Sequence, residues 1–191
     1  MAESPAAISG RIFGHWNRQK YRAAYELAVY ALDQFRSKGN DGDADMNHDH
    51  WWEFMTYAIE SVRQMPPDHA WRDLLERARG GKPPFEGYDV AYTFVWLARW
   101  AYQESAYEEA ENLARVASQA DGTWGYPELF RGWMALVTET PAAKDHLKCA
   151  VRRDPRLIFQ IMNNEVCQRR PDILAELRRE AAELDHCERG A

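Results

Sequence analysis

Two histidines and a glutamate near position 50 are the residues best suited to chemistry in this sequence. His48 and His50 are separated by one residue, and Glu53 lies three positions after His50. Imidazole nitrogens and carboxylate oxygens are typical ligands of transition metals. His50 and Glu53 share a helical face, so a site would need distant partners such as His15, His69 or His146. This pattern supports one hypothesis, an all-α metal-dependent enzyme or metal sensor; a polar helix start is the other interpretation.

An acidic stretch just before these histidines resembles a calcium-binding loop. Oxygen-bearing residues occupy every second position, namely Asp41, Asp43, Asp45, Asn47 and Asp49. A calcium loop of the helix-loop-helix type also needs a glycine at its sixth position and a glutamate at its twelfth. Met46 and Trp52 stand at those positions. We therefore interpret the stretch as a solvated acidic loop.

Other catalytic motifs are absent from the sequence. It contains no nucleophile elbow, no phosphate-binding glycine loop and no cysteine pairs at zinc spacing. The three cysteines, Cys149, Cys167 and Cys187, are widely spaced and have no evident activating base. An odd count of this kind is typical of inert thiols in a reducing cytoplasm. These observations predict a protein that is not an enzyme and needs no cofactor.

Composition and charge narrow the class of partner. Of the 191 residues, 46% are hydrophobic and 28% are charged, which is the balance of a folded protein. The net charge of −6 is spread evenly along the chain, and no basic stripe suits nucleic acid. No secretion signal and no apolar run of about 20 residues is present, so we expect no membrane partner and a cytoplasmic location. Eight tryptophans predict bulky helix contacts.

Almost every segment has the three-and-four spacing of apolar residues that indicates an amphipathic helix. Two breaks in this spacing predict loops near 37–47 and 80–88, and a proline pair, Pro66-Pro67, predicts a shorter interruption. The predicted helices span 6–18, 20–36, 48–65, 68–79, 89–103, 107–120, 125–138, 141–153, 156–168 and 171–187.

A recurring pair of alanines accompanies these helices. Alanines seven residues apart occur at Ala24 and Ala31, at Ala110 and Ala117, and at Ala143 and Ala150; Tyr21 and Tyr107 each stand three positions before the first alanine of a pair. Small residues at this spacing lie on one helical stripe, where a neighbouring helix can approach closely. We therefore expect these alanines to be buried packing residues. Repetition of one helix design indicates stacked helical hairpins.

Residues 91–124 resemble a tetratricopeptide repeat, a helix-turn-helix unit of 34 residues. The first helix of that pattern is matched by Phe94, Leu97, Ala98 and Tyr102, and the second by Tyr107, Ala110 and Ala117. Asp121 matches the usual acidic residue at the end, although Gly122 replaces the proline. The resemblance implies an all-α fold: a right-handed array of antiparallel helical hairpins, an α-solenoid of about four hairpins with an irregular N-terminal half. It also implies a single domain over 1–191.

The resemblance places partner binding on the concave face, which the first helix of each hairpin lines. On the helix predicted at 89–103 that face carries Tyr92, Trp96, Arg99 and Tyr102, a set that offers contact area and a directional charge. Within the family, asparagines on such helices grip a bound peptide, which makes Asn163 and Asn164 candidates. Packing of Trp96 in the core, and simple solvation of the two asparagines, are the alternatives.

The function implied is therefore a non-enzymatic protein–protein interaction module. It would act as an adaptor or a chaperone that holds a peptide, a helix or a partner domain. Small acidic tetratricopeptide proteins of bacteria include secretion chaperones and assembly adaptors, which this chain resembles in size and charge. A homodimer formed through the aromatic surface is a third hypothesis.

Overall fold

A computed structural model describes residues 4–37, 48–65, 70–81 and 85–189. Every regular element within these ranges is an α-helix, which confirms the all-α prediction. None of the described helices has an apolar stretch long enough to cross a bilayer. The helices are α1 (Pro5–Asn17), α2 (Tyr21–Ser37), α3 (His48–Arg63), α4 (Ala70–Arg79), α5 (Tyr88–Gln103), α6 (Tyr107–Ala120), α7 (Tyr126–Val137), α8 (Ala143–Arg153), α9 (Leu157–Met162), α10 (Glu165–Gln168) and α11 (Pro171–Arg189).

The contacts divide the chain into two compact units, Met1–Leu97 and Ala98–Ala191. The single domain over 1–191 remains a prediction. In the first unit, α2 packs against α1 and α3, and α3 packs against α4. Its core is rich in large side chains, including the buried tryptophans Trp51, Trp52 and Trp71. In the second unit, α7 packs against α6 and α8, and α8 packs against α11. A core of mainly aliphatic side chains, among them Leu129 of α7, Leu147 of α8 and Ile161 of α9, joins these helices to α11.

The paired alanines are buried, as their spacing predicts. Ala24, Ala31, Ala110, Ala117 and Ala150 are completely buried, and Ala143 is 3% exposed. A similar close approach occurs on α7, where Gly132 faces Leu147 of α8. An added Cβ at Gly132 would lie 2.6 Å from Cδ2 of that leucine. Small side chains thus let neighbouring helices pack closely in both units.

Three connections between consecutive helices share one turn. The connections α1–α2, α5–α6 and α7–α8 each contain one non-glycine residue in the left-handed region: Gln19 at φ 56°, Ser105 at φ 63° and Glu139 at φ 55°. In each turn the next residue donates its N–H to a carbonyl five positions earlier, with N···O distances of 3.0, 2.9 and 2.8 Å for Lys20, Ala106 and Thr140. This is the Schellman arrangement, which satisfies the last carbonyls of a helix and reverses the chain.

The helix predicted over 156–168 is wrong, because two short helices, α9 and α10, occupy that range. Asn164 is extended between them, at φ −84° and ψ 123°. Its side-chain oxygen accepts hydrogen bonds from the backbone N–H of Val166 at 3.0 Å and of Cys167 at 3.2 Å. When an asparagine side chain caps a new helix in this way, its hydrogen bonds replace those that would continue the preceding helix. The spacing of apolar residues alone does not reveal such a cap.

The loop predicted near 80–88 is confirmed where it is described, because residues 80–81 and 85–87 lie between α4 and α5 and are not helical. The other predicted loops lie largely beyond the described ranges. Residues 38–47, which include most of the acidic stretch, are not described, and neither are 66–69 and 82–84. The prediction of a solvated acidic loop and the interruption at Pro66-Pro67 therefore remain predictions.

Candidate partner-binding site

An open groove in the second unit brings together three residues that the sequence singled out. Arg99 and Tyr102 come from α5, and Asn164 comes from the start of α10. The groove has a volume of about 260 Å³. Its lining, which we call the aromatic groove, consists of Arg99, Tyr102, Gln103, Phe130, Trp133, Met134, Val137, Asn164 and Val166.

The floor of the aromatic groove is apolar and comes mainly from α7. Phe130, Met134 and Val137 follow one another at spacings of four and three, so they lie on one face of that helix. Phe130 and Met134 are buried, whereas Val137 is 44% exposed. The Tyr102 ring meets Phe130 edge to face, with ring centroids 5.9 Å apart. This floor suits a large apolar side chain of a ligand, because the rings of Phe130 and Tyr102 already hold each other in place.

The polar rim of the groove is held by a hydrogen bond between Arg99 and Tyr126. The Arg99 guanidinium donates to the Tyr126 hydroxyl at 2.6 Å. The Tyr126 ring is stacked on Trp124, with centroids 5.6 Å apart and planes 17° apart, and it meets the edge of Trp133 at 6.3 Å. Arg99 is therefore oriented by an aromatic cluster that continues into the groove lining.

Asn164 and Asn163 have different positions. The Asn164 side-chain oxygen caps α10, so its amide nitrogen is the part that remains for a ligand. Asn163 is exposed at the end of α9 and does not line the groove. Two neighbouring asparagines that look equivalent in the sequence thus differ in what they can bind.

Tyr92 and Trp96 belong to the first unit and contact Arg63 there. The Arg63 guanidinium donates to the Tyr92 hydroxyl at 2.6 Å, and its carbon lies 3.8 Å from the centre of the Trp96 ring. Tyr92 is only 9% exposed, whereas Trp96 is half-buried. An arginine stacked on one tryptophan face is a cation–π contact that fixes both side chains.

The metal-site candidates are only partly described. The helix α3 carries His50 and Glu53, but the side chain of His48 lies outside the described residues, as do His69 and residues 41–47. Among the side chains that the structure describes, no group of three histidine, cysteine or acidic residues could hold a metal ion. His15 lies on α1 of the first unit, and His146 lies on α8 of the second.

The cysteines that the structure describes differ in burial. Cys149 is half-buried, and Cys167 is 1% exposed in the core of the second unit. Burial raises the pKa of the Cys167 thiol to about 11, so this thiol is protonated at neutral pH. A protonated, buried thiol is a poor nucleophile. Cys167 therefore acts as a core residue, consistent with the sequence-based interpretation of inert thiols.

A buried carboxylate that the sequence did not single out joins three helices of the second unit. Glu128, in the first turn of α7, is 5% exposed. Its Oε1 accepts hydrogen bonds from the Ser118 hydroxyl of α6 and from the Arg131 guanidinium, the latter at 3.1 Å. Its Oε2 lies 2.7 Å from Nδ1 of His146 on α8. The only signal in the sequence is that Glu128 stands among apolar residues.

Its partners keep the Glu128 carboxylate ionised. Burial on its own raises the pKa of Glu128, but hydrogen bonds from His146 and Ser118, together with the positive charge of Arg131, outweigh burial and lower the pKa to about 2. An ionised carboxylate only accepts hydrogen bonds, so Nδ1 of His146 carries the proton that it shares with Glu128.

Ser118, Glu128 and His146 have the residue types of a hydrolase triad but not its order. In a triad, the histidine bonds the nucleophile directly. Here Glu128 lies between the two other residues, and Ser118 is 7% exposed and also accepts a hydrogen bond from Arg153 at 3.0 Å. The three side chains therefore fix α6, α7 and α8 relative to one another, and they do not form a nucleophile–base pair.

The sequence matches no family model, no curated protein and no solved structure. Any inference about function therefore rests on the geometry of the described residues.

Proposed function

We propose that this protein is a non-enzymatic binding module whose aromatic groove holds a large apolar side chain of a peptide, a helix or a partner domain. It would act as an adaptor or chaperone-like protein of the cytoplasm, with an array of helical hairpins similar to tetratricopeptide repeats as the scaffold. The single observation that carries the proposal is the convergence of Arg99, Tyr102 and Asn164 on one groove.

The shape and chemistry of the groove support binding of an apolar anchor. Its volume of about 260 Å³ suits one large side chain rather than an extended ligand. Buried Phe130 and Met134 supply apolar contact area, while Arg99, Gln103 and Asn164 supply hydrogen-bonding groups at the edge. Interfaces gain most of their affinity from such anchors, in which one large side chain fills a preformed pocket.

The lining also favours binding over catalysis. It contains no carboxylate, histidine or cysteine, which are the usual acids, bases and nucleophiles. The Tyr102 hydroxyl is the one titratable acid of the lining, and burial, followed by its neighbour Tyr107, raises the pKa of that hydroxyl. Tyr102 therefore stays protonated at neutral pH and serves as a hydrogen-bond partner.

Two repeated features support the hairpin array. The same turn ends α1, α5 and α7, and the paired alanines are buried in α2, α6 and α8. A right-handed solenoid of about four hairpins, with a concave face that includes Tyr92 and Trp96, is the arrangement that the family resemblance implies, and we retain it as part of the proposal.

A random peptide library displayed on phage tests the proposal. We expect peptides selected on the wild-type protein to share one aromatic or large aliphatic anchor. Val137→Asp, which puts a charge on the exposed edge of the floor, should weaken their binding by about tenfold or more, measured by fluorescence anisotropy. Phe159→Asp is the matched control, because Phe159 is 67% exposed and does not line the groove. Equal binding to wild type and to Val137→Asp would contradict the proposal.

A further inference from the structure

A second pocket of the second unit lies between α6, α7 and α8 and has a volume of about 280 Å³. We call it the histidine pocket. Its polar lining residues are Tyr107, Glu111, Thr138, Thr140 and His146, and Met134 and two alanines complete the lining. Met134 also lines the aromatic groove, but no polar group is shared between the two sites. The volume lies just below the usual range for ligand pockets, roughly 300 Å³ and above, so a ligand must be small.

His146 presents one defined ring nitrogen to a ligand. Its Nδ1 donates to Oε2 of Glu128 at 2.7 Å, so in the neutral ring Nε2 has the lone pair and accepts hydrogen bonds. The side chain of His146 is 19% exposed, and Nε2 has no hydrogen-bond partner among the residues that the structure describes. The Glu128 carboxylate fixes both the tautomer and the ring orientation of His146, so Nε2 is ready to accept a hydrogen bond from a ligand.

Glu111 supplies a carboxylate oxygen to the same pocket. Its Oε1 accepts from Nε and Nη2 of Arg131, at 2.9 and 2.7 Å. Both of these bonds use one oxygen, which leaves Oε2 as an acceptor. The side chain is 43% exposed, so a ligand can reach it.

The two threonines add further acceptors. The Thr138 hydroxyl donates to the carbonyl of Met134 at 2.9 Å, and the Thr140 hydroxyl donates to the carbonyl of Ala135 at 3.4 Å. Each hydroxyl has a single proton, so the lone pairs of its oxygen remain for a ligand. No lysine or arginine lines the pocket. A ligand that matches this lining must therefore bring hydrogen-bond donors.

We propose that the histidine pocket binds a protonated primary amine. The ammonium group donates to Nε2 of His146 and to Oε2 of Glu111, and its charge lies against the ring of Tyr107, which is 45% exposed. An aromatic ring beside a carboxylate is a suitable environment for such a cation. An anion would find no cationic donor in the lining. A metal ion is disfavoured because the described residues offer no group of three ligands.

The amine has two sources, a free small molecule or a lysine side chain of a partner. Titration with n-butylammonium and with Nα-acetyl-lysine N-methylamide, followed through the Cε1–Hε1 signal of His146 by NMR, separates them. Stronger binding of the lysine derivative would indicate a partner's lysine, and stronger binding of n-butylammonium would indicate a free amine. Butyrate, which has the same chain length and a negative charge, is the control ligand.

Two variants make the test decisive. We expect Glu111→Gln and Tyr107→Leu each to weaken binding of the better amine by about tenfold. Tyr107→Leu leaves the pair of Glu111 and Arg131 in place, so it separates loss of the ligand site from loss of folding. Glu108→Gln, on an exposed position of the same helix, should leave binding unchanged. Absence of a saturable shift of the His146 signal with either amine, an equal shift with butyrate, or full binding by both pocket variants would overturn the proposal.

Discussion

The Nδ1 atom of His146 lies 2.7 Å from Oε2 of Glu128, and this contact joins α8 to α7 inside the second unit. The other oxygen of the same carboxylate accepts from Ser118 of α6, so one buried group links three helices. A buried charge is costly unless it is fully paired, so removal of any of these partners should lower the free energy of unfolding. The carboxylate also sets the tautomer of His146, which ties the stability of the unit to the chemistry of the histidine pocket.

The pH dependence of unfolding should report the Glu128 carboxylate. Its folded pKa of about 2 is below the ordinary value of 4.5, so the carboxylate stabilises the folded state at pH values above 4.5. That stabilisation, on the order of 3 kcal/mol, is lost as the pH falls from 4.5 towards 2. Urea unfolding of the wild type and of Glu128→Gln at a series of pH values measures it. We expect the variant to be less stable at pH 7 and to lose less stability on acidification.

Glu183→Gln is the control for that experiment, because Glu183 is exposed on α11. Its stability should follow the wild-type pH profile. Parallel profiles for the wild type and Glu128→Gln would show that Glu128 does not carry this pH dependence.

Glycine at the shared turns should stabilise the protein. Ser105 and Glu139 adopt φ values of 63° and 55°, which cost energy for a residue with a Cβ. We expect Ser105→Gly and Glu139→Gly each to raise the free energy of unfolding by about 0.5–1 kcal/mol. Asn112→Gly is the control, since Asn112 is exposed in the middle of α6, where glycine should destabilise. A loss of stability in both turn variants would contradict the Schellman geometry.

Gly132 should not tolerate even a methyl group. A Cβ there would lie 2.6 Å from Cδ2 and 2.7 Å from Cγ of Leu147, which is fully buried. Gly132→Ala should therefore cost about 1–3 kcal/mol through overpacking between α7 and α8. Gly122→Ala provides the control, because nothing lies within 4 Å of its added Cβ. Thermal unfolding of both variants measures the difference, and equal midpoints would mean that α7 and α8 are less closely packed than described.

The hydroxyl of Tyr126 should matter for binding although it does not line the groove. It accepts the hydrogen bond from Arg99 at 2.6 Å and so holds the rim. Tyr126→Phe keeps the ring and removes this acceptor, and we expect the selected peptides to bind about three- to tenfold more weakly. Tyr30→Phe, at an exposed position of the first unit, should have no effect. Unchanged affinity in Tyr126→Phe would indicate that Arg99 needs no support.

The regular helices could be predicted from the sequence, because the spacing of apolar residues in one segment depends on that segment alone. The bounds predicted for α6 are those observed, and the paired alanines are buried as expected. The split at Asn164 was not accessible, because it depends on a side chain that caps in place of the helix. Glu128 was missed for a related reason. Its partners Ser118 and His146 lie on other helices, and only the fold brings them together.

The residues of the aromatic groove could be predicted only in part from the sequence. Arg99 and Tyr102 share a helix, so their common face follows from spacing alone. That Asn164 lies beside them, and that Phe130 and Met134 form the floor, depends on how α5, α7 and α10 come together in the second unit. The single concave face that would also include Tyr92 and Trp96 remains a prediction.

The most direct test of the proposed function is a set of intermolecular NOEs between a selected peptide and protein labelled on its methyl groups. We expect the anchor side chain of the peptide to show NOEs to the methyl groups of Met134, Val137 and Val166, which line the aromatic groove. NOEs confined to methyl groups outside that lining, such as those of Val29 or Leu184, would contradict the assignment of the groove as the binding site.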